Sequence, residues 1–245
     1  MRNIKLLLEY DGTRYAGWQI QSSKPTVQGT LIHAIKVLTG ESVKLVGASR
    51  TDSGVHAMGQ VANFTTTSGI PLYGIKRGLN SILPGDIAVK EAEEVPPEFH
   101  ARRSAKSKTY LYRIFNRDYI PPLARNRCWS VFHPLNLELM RQGAEFFLGK
   151  KDFTSFMASG CDARTTVREI MEFRVDEAEE GFIEITVRGT AFLRHMVRIM
   201  VGTLVTCGLG KITPEDIGRI IEARDRTLAN VTAPPQGLFL KEVEY

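Results

Sequence analysis

Val95-Pro96-Pro97-Glu98-Phe99-His100-Ala101, continued by Arg102-Arg103-Ser104-Ala105-Lys106-Ser107-Lys108, decides how the rest of the chain is read. Two successive prolines lack backbone N–H donors and fix φ, so this segment is not regular structure throughout. A basic run follows it directly. The domain boundary is placed here, giving one lobe over 1–103 and a second over 104–245.

Upstream, Ile4, Leu6, Leu8 and Tyr10 alternate with Lys5 and Glu9, which predicts a strand ended by Asp11-Gly12. Thr26 then caps a helix with Val27, Leu31, Ile35 and Leu38 on one face, stopped by Gly40. Strands near 43–46, 60–66 and 87–92 and a helix near 72–83 complete the first half. Downstream the reading is a strand near 109–115, a helix near 137–148 and a hairpin across Glu179-Glu180-Gly181. A helix over 193–207, one opened by Thr213-Pro214-Glu215-Asp216, and a strand near 238–243 follow. Strands alternate with helices in both halves, so the class is α/β or α+β with two similar lobes. A cleft between two such lobes is the default place for a site.

The 245 residues, 43% hydrophobic and 24% charged, exclude a disordered tail, a fibrous repeat and a coiled coil. Lys+Arg exceed Asp+Glu by 32 to 27, an excess compatible with a polyanionic partner. Cys128, Cys161 and Cys207 are odd in number and widely spaced, against a disulfide framework or zinc ribbon and in favour of a reducing cytoplasm. The apolar stretch 191–209 carries Arg194, His195 and Arg198, which argues against a membrane span. Glu9 and Asp11 cut short any signal-peptide core. The expectation is a soluble, cytoplasmic protein.

Three segments can carry chemistry. In the first, Gly47-Ala48-Ser49-Arg50-Thr51-Asp52-Ser53-Gly54-Val55-His56-Ala57, small residues surround one carboxylate after a strand. An Asp in such a loop commonly caps a helix or closes a turn. Arg50 two residues away favours its ionised form, and the small neighbours admit a bulky substrate. Ser53 and His56 do not make a triad, and no G-x-S-x-G elbow is present. The five histidines show no metal-ligand spacing, and no phosphate-binding glycine motif occurs, so neither metal nor cofactor is expected.

In the second, Lys108-Thr109-Tyr110-Leu111-Tyr112, alternation puts Tyr110 and Tyr112 on one strand face. Such tyrosines are either half-buried packing or a stacking platform for a base. In the third, Phe192-Leu193-Arg194-His195-Met196-Val197-Arg198 opens a helix apolar almost all round. Arg198 on it requires an anionic partner, either in a structural ion pair or in a site. Arg194, one turn earlier, is read as reaching solvent or phosphate.

These segments, with Glu9-Tyr10-Asp11-Gly12-Thr13, Tyr15-Ala16-Gly17-Trp18-Gln19 and Ala233-Pro234-Pro235-Gln236-Gly237-Leu238, resemble the tRNA pseudouridine synthase A family. The resemblance runs in order over essentially the whole chain. The Arg50-Thr51-Asp52 loop and the Phe192–Arg198 segment are its most specific parts. Ser49 stands where the family usually has Gly, and Ser53 where it often has Ala.

The resemblance implies two lobes, each a mainly antiparallel sheet flanked by helices, around a basic cleft. It implies a cofactor-free homodimer that isomerises uridine to pseudouridine in the anticodon stem-loop of tRNA. Asp52 would be the catalytic aspartate, Tyr110 the ring stacked on the target uracil, and Arg198 the partner of that aspartate. Arg50 would help evict and replace the flipped base. A base inside a stem must be flipped out, for which Arg50, Arg102, Arg103, Lys106 and Arg194 supply cations. The competing readings are a non-catalytic RNA-binding protein on the same tyrosine strand, and a glycosidase, which requires a second carboxylic acid near Asp52.

Overall fold

Alternating side chains build the first strand, β1 (Arg2–Tyr10), which buries Ile4, Leu6 and Leu8 completely. It is paired antiparallel on one side with β3 (His56–Thr66) and on the other with β4 (Ile87–Val95). The short β2 (Val46–Gly47) adds to β3. The computed structural model behind this description covers residues 1–161 and 163–245. Helix α1 (Val27–Thr39) starts where expected, with the Thr26 side chain accepting from the Gly29 N–H, and ends at Gly40 in the left-handed region. Helix α2 (Leu72–Ile82) packs on α1 and β4. Leu31, Ile35, Ile75 and Leu79 from the two helices are fully buried. Burying each such side chain stabilises by about 1.5–3 kcal/mol.

The chain divides into two compact units, Met1–Lys106 with Phe239–Tyr245, and Ser107–Leu238. The first therefore includes most of β10 (Leu238–Glu244), which pairs parallel with β3 at Phe239↔His56 and Leu240↔Ala57. This differs from a second lobe running through to residue 245. The reason is non-local: Phe239 stacks on His56 at 4.8 Å, and Tyr245 packs on Phe99 and donates to the Ala101 carbonyl at 2.8 Å.

In the second unit β5 (Ser107–Phe115), β9 (Phe182–Gly189), β8 (Val167–Glu177) and β7 (Gly149–Asp152) form an antiparallel sheet in that order. The short β6 (Trp129–Ser130) pairs parallel with the end of β5. Helix α3 (Leu137–Glu145) packs on β8, on α4 (Met196–Gly208) and on α5 (Pro214–Ala223). Phe147, Phe153, Phe156 and Phe173 form the aromatic core, with ring centroids 4.9 to 6.2 Å apart. The Thr213 capping box that opens α5 is present. Each unit is thus a mainly antiparallel sheet with helices, the α+β class.

Two helix bounds differ from expectation for identifiable reasons. Helix α4 begins at Met196 rather than Leu193, because His195 takes φ 60°, a left-handed conformation that a right-handed helix does not continue through. Helix α3 stops at Glu145, after which Phe146, Phe147 and Leu148 bond three residues back in tighter turns.

Candidate active site

The loop that carries Asp52 lies in the first unit and is held from two sides. On one side stands Gln60, fully buried in β3. Its side-chain oxygen accepts from the Ser49 N–H at 3.2 Å, and its amide donates to the Ser49 carbonyl at 2.8 Å. Tyr10 Oη and Thr51 Oγ1 share a hydrogen bond of 2.8 Å. On the other side stands the segment 12–18. The Trp18 N–H donates to the Thr51 carbonyl at 3.0 Å, and Ser53 Oγ donates to the Tyr15 carbonyl at 3.2 Å. Val55 N–H closes the turn on the Asp52 carbonyl at 3.1 Å.

Glycine is required where these segments touch. Gly17 has φ +94°, and a Cβ there would stand 2.6 Å from the Thr51 carbonyl oxygen. A Cβ on Gly12 would collide with the Val55 carbonyl. Segment 12–18 is itself anchored by Asp86, whose carboxylate accepts from Tyr15 Oη at 2.6 Å and from Arg14 Nε at 2.8 Å. Burial, then the bond to Asp86, push the Tyr15 hydroxyl well above its ordinary pKa, so it acts as a neutral donor.

Within this frame Asp52 is half-buried. Arg50 is exposed and its Nη1 donates to Gln19 Oε1 at 3.4 Å. His56 is buried at the start of β3, where its Nδ1 accepts from the Gly12 N–H at 3.1 Å. Arg102, Arg103 and Lys106 are all exposed, on the crossover that follows β4. The backbone N–H groups of Arg102 and Arg103 donate to His100 Nδ1 at 3.2 and 3.3 Å. Burial and then the Arg103 charge lower the His100 pKa, which keeps that nitrogen an acceptor.

The second unit holds Tyr110, Arg194 and Arg198. Tyr110, opposite Val187 in the β5–β9 ladder, is only 6% exposed. Phe192 meets its ring edge-on, with centroids 5.0 Å apart and planes at 82°. Strand β5 is buried on both faces, since Thr109 and Leu111 are as enclosed as Tyr110 and Tyr112. Arg194 lies ahead of α4, exposed, with Nη1 donating to the Ser159 carbonyl at 3.1 Å. Arg198 is half-buried on α4, whose other residues are almost all buried, as the apolar pattern predicts. Its Nε donates to the Ala233 carbonyl at 2.8 Å.

Sequence reasoning passed over Gln60, Asp86 and the bond from the Tyr112 hydroxyl to the Pro234 carbonyl. A glutamine between apolar neighbours in β3 was a readable signal for the first. The other two depend on partners 71 and 122 residues away in sequence. Among the described residues no group of three His, Cys, Asp or Glu side chains could hold a metal ion, and no helix is long and apolar enough to cross a membrane.

A model of the tRNA pseudouridine synthase family matches residues 7–102 and 144–245. The tRNA pseudouridine synthase A of Acetivibrio thermocellus is 51% identical to this chain over 245 residues, covering 100% of both. That of Ruminiclostridium cellulolyticum is 48% identical and that of Geotalea daltonii 45%, each over 245 residues and 100% of both chains. A two-unit α+β chain with these relatives is an isomerase that converts uridine to pseudouridine. It belongs to the tRNA pseudouridine synthase family.

Proposed function

We propose that the protein acts on uridines in the anticodon stem-loop of tRNA, without a cofactor, as a cytoplasmic homodimer. Asp52 is the catalytic carboxylate, Tyr110 the ring that stacks on the target uracil, and Arg198 the cation that pairs with Asp52. Arg50 replaces the evicted base in the stem. Arg102, Arg103, Lys106 and Arg194 bind backbone phosphates. The observation that carries this reading is the double anchoring of the Asp52 loop. A loop that merely closed a turn has no need of Gln60, Tyr10 and the whole of segment 12–18 to fix it.

The chemistry asks for little more. The N1–C1′ bond of the nucleotide breaks, uracil turns in place, and a C5–C1′ bond forms. The C5 proton leaves and N1 gains one, so the reaction is redox-neutral. A single ionised carboxylate can attack the ring or the sugar, or remove a sugar proton. An aromatic face keeps the detached base in register, and a planar guanidinium holds the carboxylate by a two-pronged bond.

The test uses a tRNA transcript tritiated at uracil C5. The wild-type protein is expected to release tritium, and Asp52→Ala to bind the transcript with no release. Tight binding by the wild-type protein without release would support the RNA-binding alternative, and wild-type release by Asp52→Ala would remove Asp52 from its role.

A further inference from the structure

Residues 231–237 cross α4 and β5 as a strap, and three contacts fix their position. Arg198 and Ala233 exchange two hydrogen bonds: the Ala233 N–H donates to the Arg198 carbonyl at 3.0 Å, and Arg198 Nε donates to the Ala233 carbonyl at 2.8 Å. The next carbonyl along, that of Pro234, accepts from the Tyr112 hydroxyl at 2.8 Å. At each end a glycine permits close approach. A Cβ on Gly202 of α4 would collide with the Val231 carbonyl, and one on Gly237 would stand 2.6 Å from Tyr112 Cζ. Pro234 and Pro235 stiffen the strap between these points, since each fixes its own φ.

We propose that Tyr112 is a positioning residue for Arg198, acting through the Ala233–Pro234 carbonyls. The proposal rests on the assignment of Arg198 to the catalytic carboxylate. Nε–H lies in the plane of the guanidinium, so the direction of its bond to Ala233 sets the orientation of that plane. The terminal nitrogens then present their fork to a carboxylate in one orientation only. The Ala233 carbonyl can hold this direction only if the strap cannot rotate. Tyr112, with no exposed surface, pins the adjacent peptide to β5, the strand that also carries Tyr110. The hydroxyl is a dependable donor, because burial pushes its pKa well above the ordinary value against the opposing influence of the Arg198 charge. By the same geometry Arg198→Lys is expected not to restore the arrangement. Lysine has no second nitrogen to serve strap and carboxylate together.

The experiment is a double-mutant cycle of Tyr112→Phe and Arg198→Lys, read as kcat and KM for tritium release alongside thermal melts of each variant. Tyr112→Phe keeps the ring and removes only the hydroxyl. It is expected to lower kcat by about ten- to a hundredfold, the scale of a misplacement of order 1 Å, with KM unchanged. In the Arg198→Lys background the same change is expected to have no further effect on kcat. Gly202→Ala, which presses on the strap from the helix side and leaves Tyr112 intact, is expected to follow the same pattern. An equal loss in both backgrounds, or a wild-type kcat in Tyr112→Phe, overturns the proposal and leaves Arg198 in its role. A wild-type rate in Arg198→Lys overturns both.

Discussion

Replacing Gly17 by alanine tests whether the Asp52 loop is held as tightly as its contacts indicate. Two penalties act together. At φ +94° an L side chain is strained, by about 1–2 kcal/mol. The new Cβ would also stand 2.6 Å from the Thr51 carbonyl oxygen, 3.0 Å from Asp52 C and 3.1 Å from Ser53 N. The loop must therefore retreat, at the roughly 1–3 kcal/mol typical of overpacking. Reduced freedom of the unfolded chain returns about 0.4–1 kcal/mol. A net loss of about 3 kcal/mol is expected, which for a chain of this size lowers Tm by about 6–12 °C. Because the colliding atoms belong to Thr51, Asp52 and Ser53, kcat should fall at least about tenfold even at temperatures where the variant is fully folded. Gly40→Ala separates the two penalties. Gly40 has φ +76° with no atom within 4 Å of its Cβ position. With the same strain and the same unfolded-state return, that variant should lose only about 1 kcal/mol net and keep the full rate. Calorimetric melts and tritium release on both proteins decide the matter. If Gly17→Ala melts and turns over like Gly40→Ala, the collision is relieved without moving the loop, and the reasoning fails.

Tyr110→Phe should fold normally and bind tRNA, whereas Tyr110→Ala should lose about 1–3 kcal/mol of uracil stacking. Normal turnover in Tyr110→Ala would reduce Tyr110 to a packing residue against Phe192. Binding of tRNA should weaken steeply with salt, and Arg102→Ala with Arg103→Ala should lower the log–log slope by about 1 for each phosphate contact removed. A salt-independent Kd would refute this. The Glu41 carboxyl sits below its ordinary pKa because Thr66, then Thr67, donate to it. A group depressed on folding stabilises above its unfolded pKa and loses that contribution as pH falls through the folded value. Glu41→Gln should therefore flatten the acid limb of urea-melt stability below pH 4.5, leaving the rate at neutral pH unchanged.

What was legible in the sequence was what short-range rules govern. Thr26 and Gly40 bracket α1, Thr213 opens α5, and the alternation of Ile4, Leu6 and Leu8 marks β1, because caps and periodicity act within a few residues. The buried character of α4 followed from its composition. Its first turn did not, since nothing in Leu193-Arg194-His195 announces a left-handed histidine. Strand β7, Gly149-Lys150-Lys151-Asp152, has no apolar residue to reveal it, and belongs to the sheet through backbone pairing with β8 alone. The candidate site was legible as three segments and opaque as an arrangement. Asp86 beneath Tyr15 and the Ala233–Pro234 strap against Arg198 and Tyr112 are tertiary contacts with no local pattern.

The return of β10 to the first unit has a consequence for how the protein is made on the ribosome. Residues 1–106 emerge first, yet the sheet built on β1 and β3 lacks β10 until residues 239–245 have been added. At roughly 5–20 residues per second, the stretch of about 140 residues up to the end of β10 takes about 7 to 28 seconds to translate. Throughout that interval the edge of β3 at His56 and Ala57, which Phe239 and Leu240 later cover, stands open. The second unit, whose residues are contiguous, can fold to completion earlier than the one that begins the chain. The loop carrying Asp52, immediately before that edge, is then secured only after the residues of the second unit have been made.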